Sequence, residues 1–448
     1  MKKITKLVGL KKSDFDIIVN THNHEIDNLI YVRPARLIPV FKAGEELSLT
    51  SIFLASLKMV KEFRDSIFKE LKFPRGGKTY FYTELSFPES EFSDSRIDGL
   101  IINVSSGVIK DAIVLEMKSK ANKIDHSQVE RYMKIAKTFK INRMVTISNE
   151  FVSDSKESPV EKLKIPRNFQ LNHFSWTYIL TQAHILLFDN EDNIDDEDQI
   201  DIMNEVVHYL EHPNSGLLGH TSMSSKWKEV CERLYNNEKL NKSDQMVVDA
   251  VKSWHQEEKD LALLLSRKLG SNIKSTIKTN KSLDSDIKKL LSNQKLNGTL
   301  DIKGAVSKLG IDLNFNKKSI SFSVNVSPPG DKKNNGKVSS LLRQLSKCKK
   351  YENKLYDEIS ENIFIEPDFK FIKKNHTYDL TSIETEDFRH FNDIQNFKII
   401  FSKNLGSSFT QPKKFVVSIE TYSLKFYEAI VQHLTNWKKP PPKVDNYE

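Results

Sequence analysis

The sequence predicts an α/β protein: a mixed sheet with helices on its faces, then a helical connector, then a second, α+β domain. Three observations carry this. Strand-like and helix-like segments alternate up to about residue 220. From 221 to 275 the periodicity is helical throughout. From 276 onward strands return, in a segment of different charge. The expected domains are therefore 1–220, a connector at 221–275, and 276–448.

Residues 47–72 place apolar side chains three and four apart, which predicts one amphipathic helix. FPRGGK breaks it. TYFYTELSF alternates and is rich in aromatics, so it reads as a strand. RIDGLIINV and DAIVLEMKS follow as two more strands, joined through SSGVIK. DHSQVERYMKIAKTF is helical, with Asp125 placed to cap it. NRMVTISN and FQLNHFSWTYIL are further strands, and LTQAHILLF begins a helix. SSKWKEVCERLYN and residues 243–270 form the helical connector. Strands TLDIKGAV, GIDLNF and SISFSVNV lead to the loop SPPGDKKNNGK and a helix over 338–359. FVVSIETYS reads as a late strand, KFYEAIVQHLTNW as a last helix, and the proline-rich tail 438–448 as extended or disordered.

Composition limits the function. The chain has 448 residues, is 38% hydrophobic and 29% charged, and carries a formal net charge of +8. That suits a globular protein with an anionic partner. The charge is uneven: residues 271–350 hold 17 Lys/Arg against 5 Asp/Glu, so the remainder is slightly acidic. The opposite extreme is 191–201, with seven carboxylates in eleven residues, read as a solvated loop or the approach to a helix. Two distant cysteines, Cys231 and Cys348, build neither a disulfide framework nor a thiolate zinc site. No signal peptide and no membrane-spanning run is read, so the expected location is the cytoplasm, without a membrane partner. No phosphate-binding P-loop motif is present to drive ATP-powered translocation.

The segment that points to chemistry is IVLEMKSK at 113–120. An apolar strand ends in Glu116 and Lys118, which project from one face because strand side chains alternate. Asp98 lies on the preceding strand, where an antiparallel partner can stand beside Glu116. Gln128 and Tyr132 are four apart on the next helix and share a face. Two neighbouring carboxylates repel unless a cation lies between them. Mg²⁺ takes one or two carboxylates, with waters and substrate phosphate completing its shell. A lysine at the edge of such a site can hold a water or a phosphate oxygen.

At these residues the sequence resembles the PD-(D/E)XK nuclease superfamily, the restriction-endonuclease-like fold, over roughly residues 45–190. Asp98 on one strand of a hairpin, E-M-K at 116–118 on the next and Q-V-E-R-Y at 128–132 on the following helix carry the likeness. Ile97 stands where the name-giving proline would be. The resemblance implies that Asp98 and Glu116 bind Mg²⁺ or Mn²⁺, with Glu84 an accessory ligand, and that Lys118 assists catalysis. It also implies that Gln128 and Tyr132 support the site or touch the nucleic-acid backbone. The expected activity is metal-dependent phosphodiester hydrolysis, of DNA by superfamily habit, in a defence or genome-maintenance setting. Lys332, Lys333, Lys337, Arg343 and Lys347 are the expected phosphate contacts. A second copy of the chain, or a protein docked on the C-terminal domain, are further expected partners. The alternative is a nucleic-acid-binding sensor or interaction protein in which the nuclease fold is a regulated effector or inactive.

Overall fold

The computed structural model describes residues 6–20, 30–34, 45–87, 92–152, 155–160, 162–188, 194–217, 219–276, 280–372 and 376–438. The tail beyond 438 and the first part of the acidic run therefore lie outside the described residues. The chain divides into two compact units, residues 1–219 with 266–270, and residues 220–265 with 271–448.

The first unit is a seven-stranded mixed sheet in sequence order. Its strands are β1 (Val19–Asn20), β2 (Ile30–Pro34), β3 (Lys78–Ser86), β4 (Arg96–Ser105), β5 (Val108–Met117), β6 (Arg143–Ser148) and β7 (Gln170–Ser175). β2 to β5 run antiparallel to one another, and β5, β6 and β7 run parallel. The helices are α1 (Lys12–Ile18), α2 (Glu46–Met59), α3 (Lys61–Leu71), α4 (His126–Thr138), α5 (Trp176–Phe188) and α6 (Glu197–Glu211). β5 is apolar without alternation because both its faces are covered. Ile113, Leu115 and Met117 join a core with α2, α3, α5 and α6. Ala112 and Val114 join the core beneath α4. Each of these Ile, Leu, Met and Val side chains contributes on the order of 2 kcal/mol when fully buried.

Three local outcomes differ from the sequence expectation or sharpen it. The predicted 47–72 helix is two helices, because Val60 is extended (φ −107°, ψ 105°) and breaks the ladder. The break turns Phe63, Ile67 and Phe68 into the same core as Leu49 and Phe53. The predicted strand 169–180 stops at Ser175, and Trp176 begins a helix. The β4–β5 hairpin closes on Ser106 and Gly107, both with positive φ, as a two-residue turn needs. Asp125 caps α4 by accepting from the amide of Gln128, as expected. Asp196, from the acidic run, likewise caps α6.

The second unit begins with α7 (Trp227–Tyr235) and α8 (Gln245–Leu269), whose last residues belong to the first unit. The residues expected to be a connector thus contribute to this unit's core, including Trp227, Trp254 and Leu261. β8 (Lys274–Ser275), α9 (Asn280–Asn293), β9 (Lys295–Asp301), β10 (Leu309–Asn314) and β11 (Ser319–Val326) follow. Next come α10 (Asn334–Tyr351), α11 (Asn353–Ser360), β12 (Ile363–Phe369), β13 (Tyr378–Asp379) and α12 (Leu380–Thr385). β14 (Ile394–Asn404), α13 (Ser407–Thr410) and α14 (Pro412–Ala429) complete it. The strands form one antiparallel sheet in the order β13-β12-β14-β11-β10-β9-β8. FVVSIETYS, expected as a strand, is the middle of α14: Phe415, Val416, Ile419 and Phe426 are buried at helical spacing behind Pro412 in the first turn. Its β-branched composition points the other way, and burial overrides it.

Candidate active site

Glu116 lies directly across the β4–β5 ladder from Asp98, one step beyond the pair Gly99 and Leu115. The strands stop pairing there, and Asp98 Oδ2 takes the amide of Met117 at 2.7 Å. β5 then turns to β6, with the amide of Lys118 donating to the carbonyl of Ile147 at 2.8 Å. Trp176 Nε1 fixes the carbonyl of Lys118 at 2.8 Å. The Lys118 main chain is therefore held from two sides, and its side chain folds back so that Nζ sits 2.6 Å from Glu116 Oε1. Gly99 lets the sheet come close to α2: a Cβ there would meet Leu54 Cδ1 at 3.1 Å and Leu115 Cδ1 at 3.2 Å. The side chain of Glu116 is fully buried, Lys118 is 16% exposed, and Asp98 keeps a partly exposed edge. The site is open at the lysine and dry at the glutamate.

Gln128 and Tyr132 act as a brace. Tyr132 Oη donates to the carbonyl of Arg96 at 2.6 Å, and Gln128 Nε2 donates to Tyr132 Oη at 3.1 Å. Together they tie α4 to the start of β4, two residues before Asp98. Tyr132 is buried, with its hydroxyl turned to the Arg96 carbonyl.

Burial is the main cause of the site's electrostatics. It pushes the Asp98 carboxyl up, against the opposing pull of the Met117 amide and Lys118. Burial, and then the charge of Asp98, raise Glu116 to about 9. Burial pulls Lys118 down, but the Glu116 carboxylate outweighs it and the lysine ends raised. The two carboxyls titrate as a pair. At neutral pH the two carboxyls share one proton and Lys118 keeps its charge, because removing the proton would leave two adjacent anions in a dry site. Among the described residues no N–H donates to Oε2 of Glu116, although that oxygen is buried. The one negative charge of the carboxyl pair is thus balanced by Lys118, 2.6 Å from Glu116 Oε1.

Comparison with family models, with curated proteins and with solved structures gives no match. The geometry alone therefore carries the functional argument.

Glu84 was the expected accessory ligand. It lies across from Asp98 in the β3–β4 ladder, but its backbone takes a positive φ of 56° and its Oε1 pairs with Arg96 Nη1 at 3.0 Å. Among the described residues no group of three or more His, Cys, Asp or Glu is gathered to hold a metal. Asp98 and Glu116 still fit Mg²⁺, which needs only one or two protein carboxylates. A residue the sequence reading missed is Glu46. Its Oε1 accepts from Asn122 Nδ2 at 2.7 Å and from the amide of Ser119 at 3.3 Å, and its Oε2 lies 3.5 Å from Lys118 Nζ. In sequence it shows only an acid in a helix's first turn, an ordinary dipole partner. Thr146 and His173 lie next to the site in the sheet. They continue the row of Glu116 across β6 and β7, and Thr146 Oγ1 lies 2.9 Å from His173 Nδ1.

The expected phosphate contacts lie in the second unit and divide. Lys332, Lys333, Arg343 and Lys347 are exposed. Lys337 is not: it is 4% exposed, with Nζ 2.6 Å from Asp393 Oδ1 and donating to the carbonyl of Ile394 at 2.8 Å. The expected loop ends early because α10 starts at Asn334, so Lys337 falls on the same inward ridge as Leu341, Leu345 and Cys348. Among the described residues no helix is long and apolar enough to cross a membrane.

Proposed function

We propose that the chain is a metal-dependent nuclease that hydrolyses phosphodiester bonds, with DNA the preferred substrate. The observation that carries the reading is the close, buried pairing of Asp98 with Glu116 beside the ammonium of Lys118. A structural ion pair needs one carboxylate for one lysine. Here a second carboxyl is buried against the first at an energetic cost, the pattern of a site shaped for a ligand. In this reading Asp98 and Glu116 hold Mg²⁺ or Mn²⁺, which when bound would lower the pKa of a water and neutralise charge on the phosphate. Lys118 Nζ orients the attacking water or a phosphate oxygen. Glu46 sets the position of that amine from the rim, and Tyr132 with Gln128 keeps Asp98 in register. Both carboxyls and the lysine are present, which favours an active enzyme over a binding-only protein.

The deciding experiment incubates supercoiled plasmid, single-stranded DNA and RNA with the protein and Mg²⁺. Asp98→Ala, Glu116→Ala and Lys118→Ala should each lower cleavage by at least about a hundredfold. Cleavage by Glu116→Ala at the wild-type rate would overturn the assignment. If two copies cut the two strands of a duplex, the rate of double-strand breakage rises faster than linearly with enzyme concentration.

A further inference from the structure

The second unit carries an exposed surface that none of the site chemistry uses. α10 buries Val338, Leu341, Leu345 and Cys348. Its outer side presents Arg343, Lys347 and Tyr351, four residues apart and hence on one ridge, with Lys350 alongside. All four are exposed. Among the described residues Arg343 bonds within its own helix, its Nε donating to the carbonyl of Ser339 one turn earlier at 3.1 Å, while Lys349, which lies off the ridge, is paired with Asp357. Among the described residues Lys347 and Lys350 have no acidic partner. The charge on this ridge is therefore free to meet an anion.

Tyr351 is what gives the ridge a direction. It is a large aromatic, 67% exposed. One face of its ring stacks on His433 at 5.1 Å and 22°. His433 is itself held, because the segment just after it is tied to α10 through the Thr435 amide and Gln344 Oε1 at 2.9 Å. The ring is thus backed on one side and open on the other. A free aromatic face at the end of a row of cations is the pairing by which unpaired bases are held, with the base on the ring and phosphates on the cations. A duplex keeps its bases stacked inside and offers no face to such a ring.

We infer that the C-terminal half of α10 is a docking ridge for single-stranded nucleic acid, with phosphates on Arg343, Lys347 and Lys350 and a base on Tyr351. This rests on the nucleic-acid reading above, and it narrows the substrate to one with an unpaired stretch. Arg343 and Lys350 lie about 10 Å apart along the helix axis, enough for a short run of nucleotides.

The test is fluorescence anisotropy of full-length protein in EDTA, with labelled dT20 and a labelled 20-bp duplex. Tyr351→Ala should weaken dT20 binding about fivefold or more and duplex binding less than twofold. Tyr351→Phe should keep the wild-type dT20 affinity. Arg343→Gln with Lys347→Gln should weaken dT20 binding and flatten its log–log salt slope by about 1.4, at roughly 0.7 per phosphate contact. The side chains are exposed, and matching circular dichroism melts check that the variants fold. Unchanged dT20 binding by Tyr351→Ala, equal loss on duplex and single strand, or no dT20 binding by the wild type each overturns the inference. Chelated binding does not depend on cleavage, so an inactive catalytic site and an idle ridge give different results: the first abolishes nicking only, the second leaves Tyr351→Ala silent.

Discussion

Replacing Glu116 by Gln should stabilise the metal-free protein, although it removes one half of an ion pair. Burial and the neighbouring Asp98 raise Glu116 from 4.5 to about 9, so the folded state binds a proton that the unfolded chain releases. For a carboxyl raised in this way, its contribution to stability is complete below pH 4.5, falls as pH rises and stops falling near 9. At pH 7.5 three units of that interval have been crossed. At about 1.4 kcal/mol per unit this gives an upper bound of roughly 4 kcal/mol. Coupling to Asp98 and Lys118 and relaxation of the open rim reduce it to about 2 kcal/mol. Gln keeps the shape, cannot ionise, and frees Asp98 to be the anion that Lys118 needs. A gain of that size raises the melting temperature of the first unit by about 4–8 °C. The assay is thermal unfolding in EDTA from pH 4.5 to 9, with the Gln variant and wild type side by side. The gap should be absent at pH 4.5 and widen to pH 9. Added Mg²⁺ should raise the wild-type midpoint and leave the variant's unchanged. A Gln variant less stable than wild type at pH 7.5, or a gap that ignores pH, would refute the account of the site.

The sequence showed where the two carboxyls and the lysine would meet because strand alternation and a short hairpin are local rules. Asp98, Glu116 and Lys118 need only correct strand assignments to be brought together, and RIDGLI and IVLEMK supply them. Gln128 and Tyr132 needed one more element, and their four-residue spacing provided it. Glu46 was invisible, since it reaches Lys118 across 72 residues and nothing local marks that contact. Glu84 carries a positive φ in mid-strand, which alternation does not foresee, and pairs with Arg96. The C-terminal errors share a cause. FVVSIETYS is rich in strand formers and Lys337 sits among loop residues, yet both are in helices because burial of one face decides the matter. Charge counting found the basic segment but not its useful side, since only the fold tells an exposed lysine from a buried one.

Gly99→Ala should cost roughly 1–3 kcal/mol by denaturant unfolding, as its Cβ would press on Leu54 and Leu115; a neutral result would mean α2 can shift. Glu46→Ala removes the acceptor for Asn122 and for the Ser119 amide, so hydrogen exchange across 118–122 should quicken and stability fall by about 1–2 kcal/mol. Unchanged exchange there would show that Glu46 does not anchor this loop. Lys337→Met separates structure from binding most cleanly. The change keeps the apolar stem that α10 packs but deletes an ammonium bonded to Asp393 and to the carbonyl of Ile394. Asp393 is 54% exposed and is taken up by water, whereas the Ile394 carbonyl is buried and loses a charged donor. The expected loss is about 1.5–3 kcal/mol of stability. Nucleic-acid affinity and its salt slope should stay at wild-type values, because this ammonium is already neutralised and turned inward. Lys332→Gln with Lys333→Gln reverses the pattern if the exposed start of α10 meets phosphate: stability holds while the salt slope falls. Weaker binding by Lys337→Met at unchanged stability would show that Lys337 leaves Asp393 when nucleic acid arrives, and that the resting ion pair is a store of charge and not a strut.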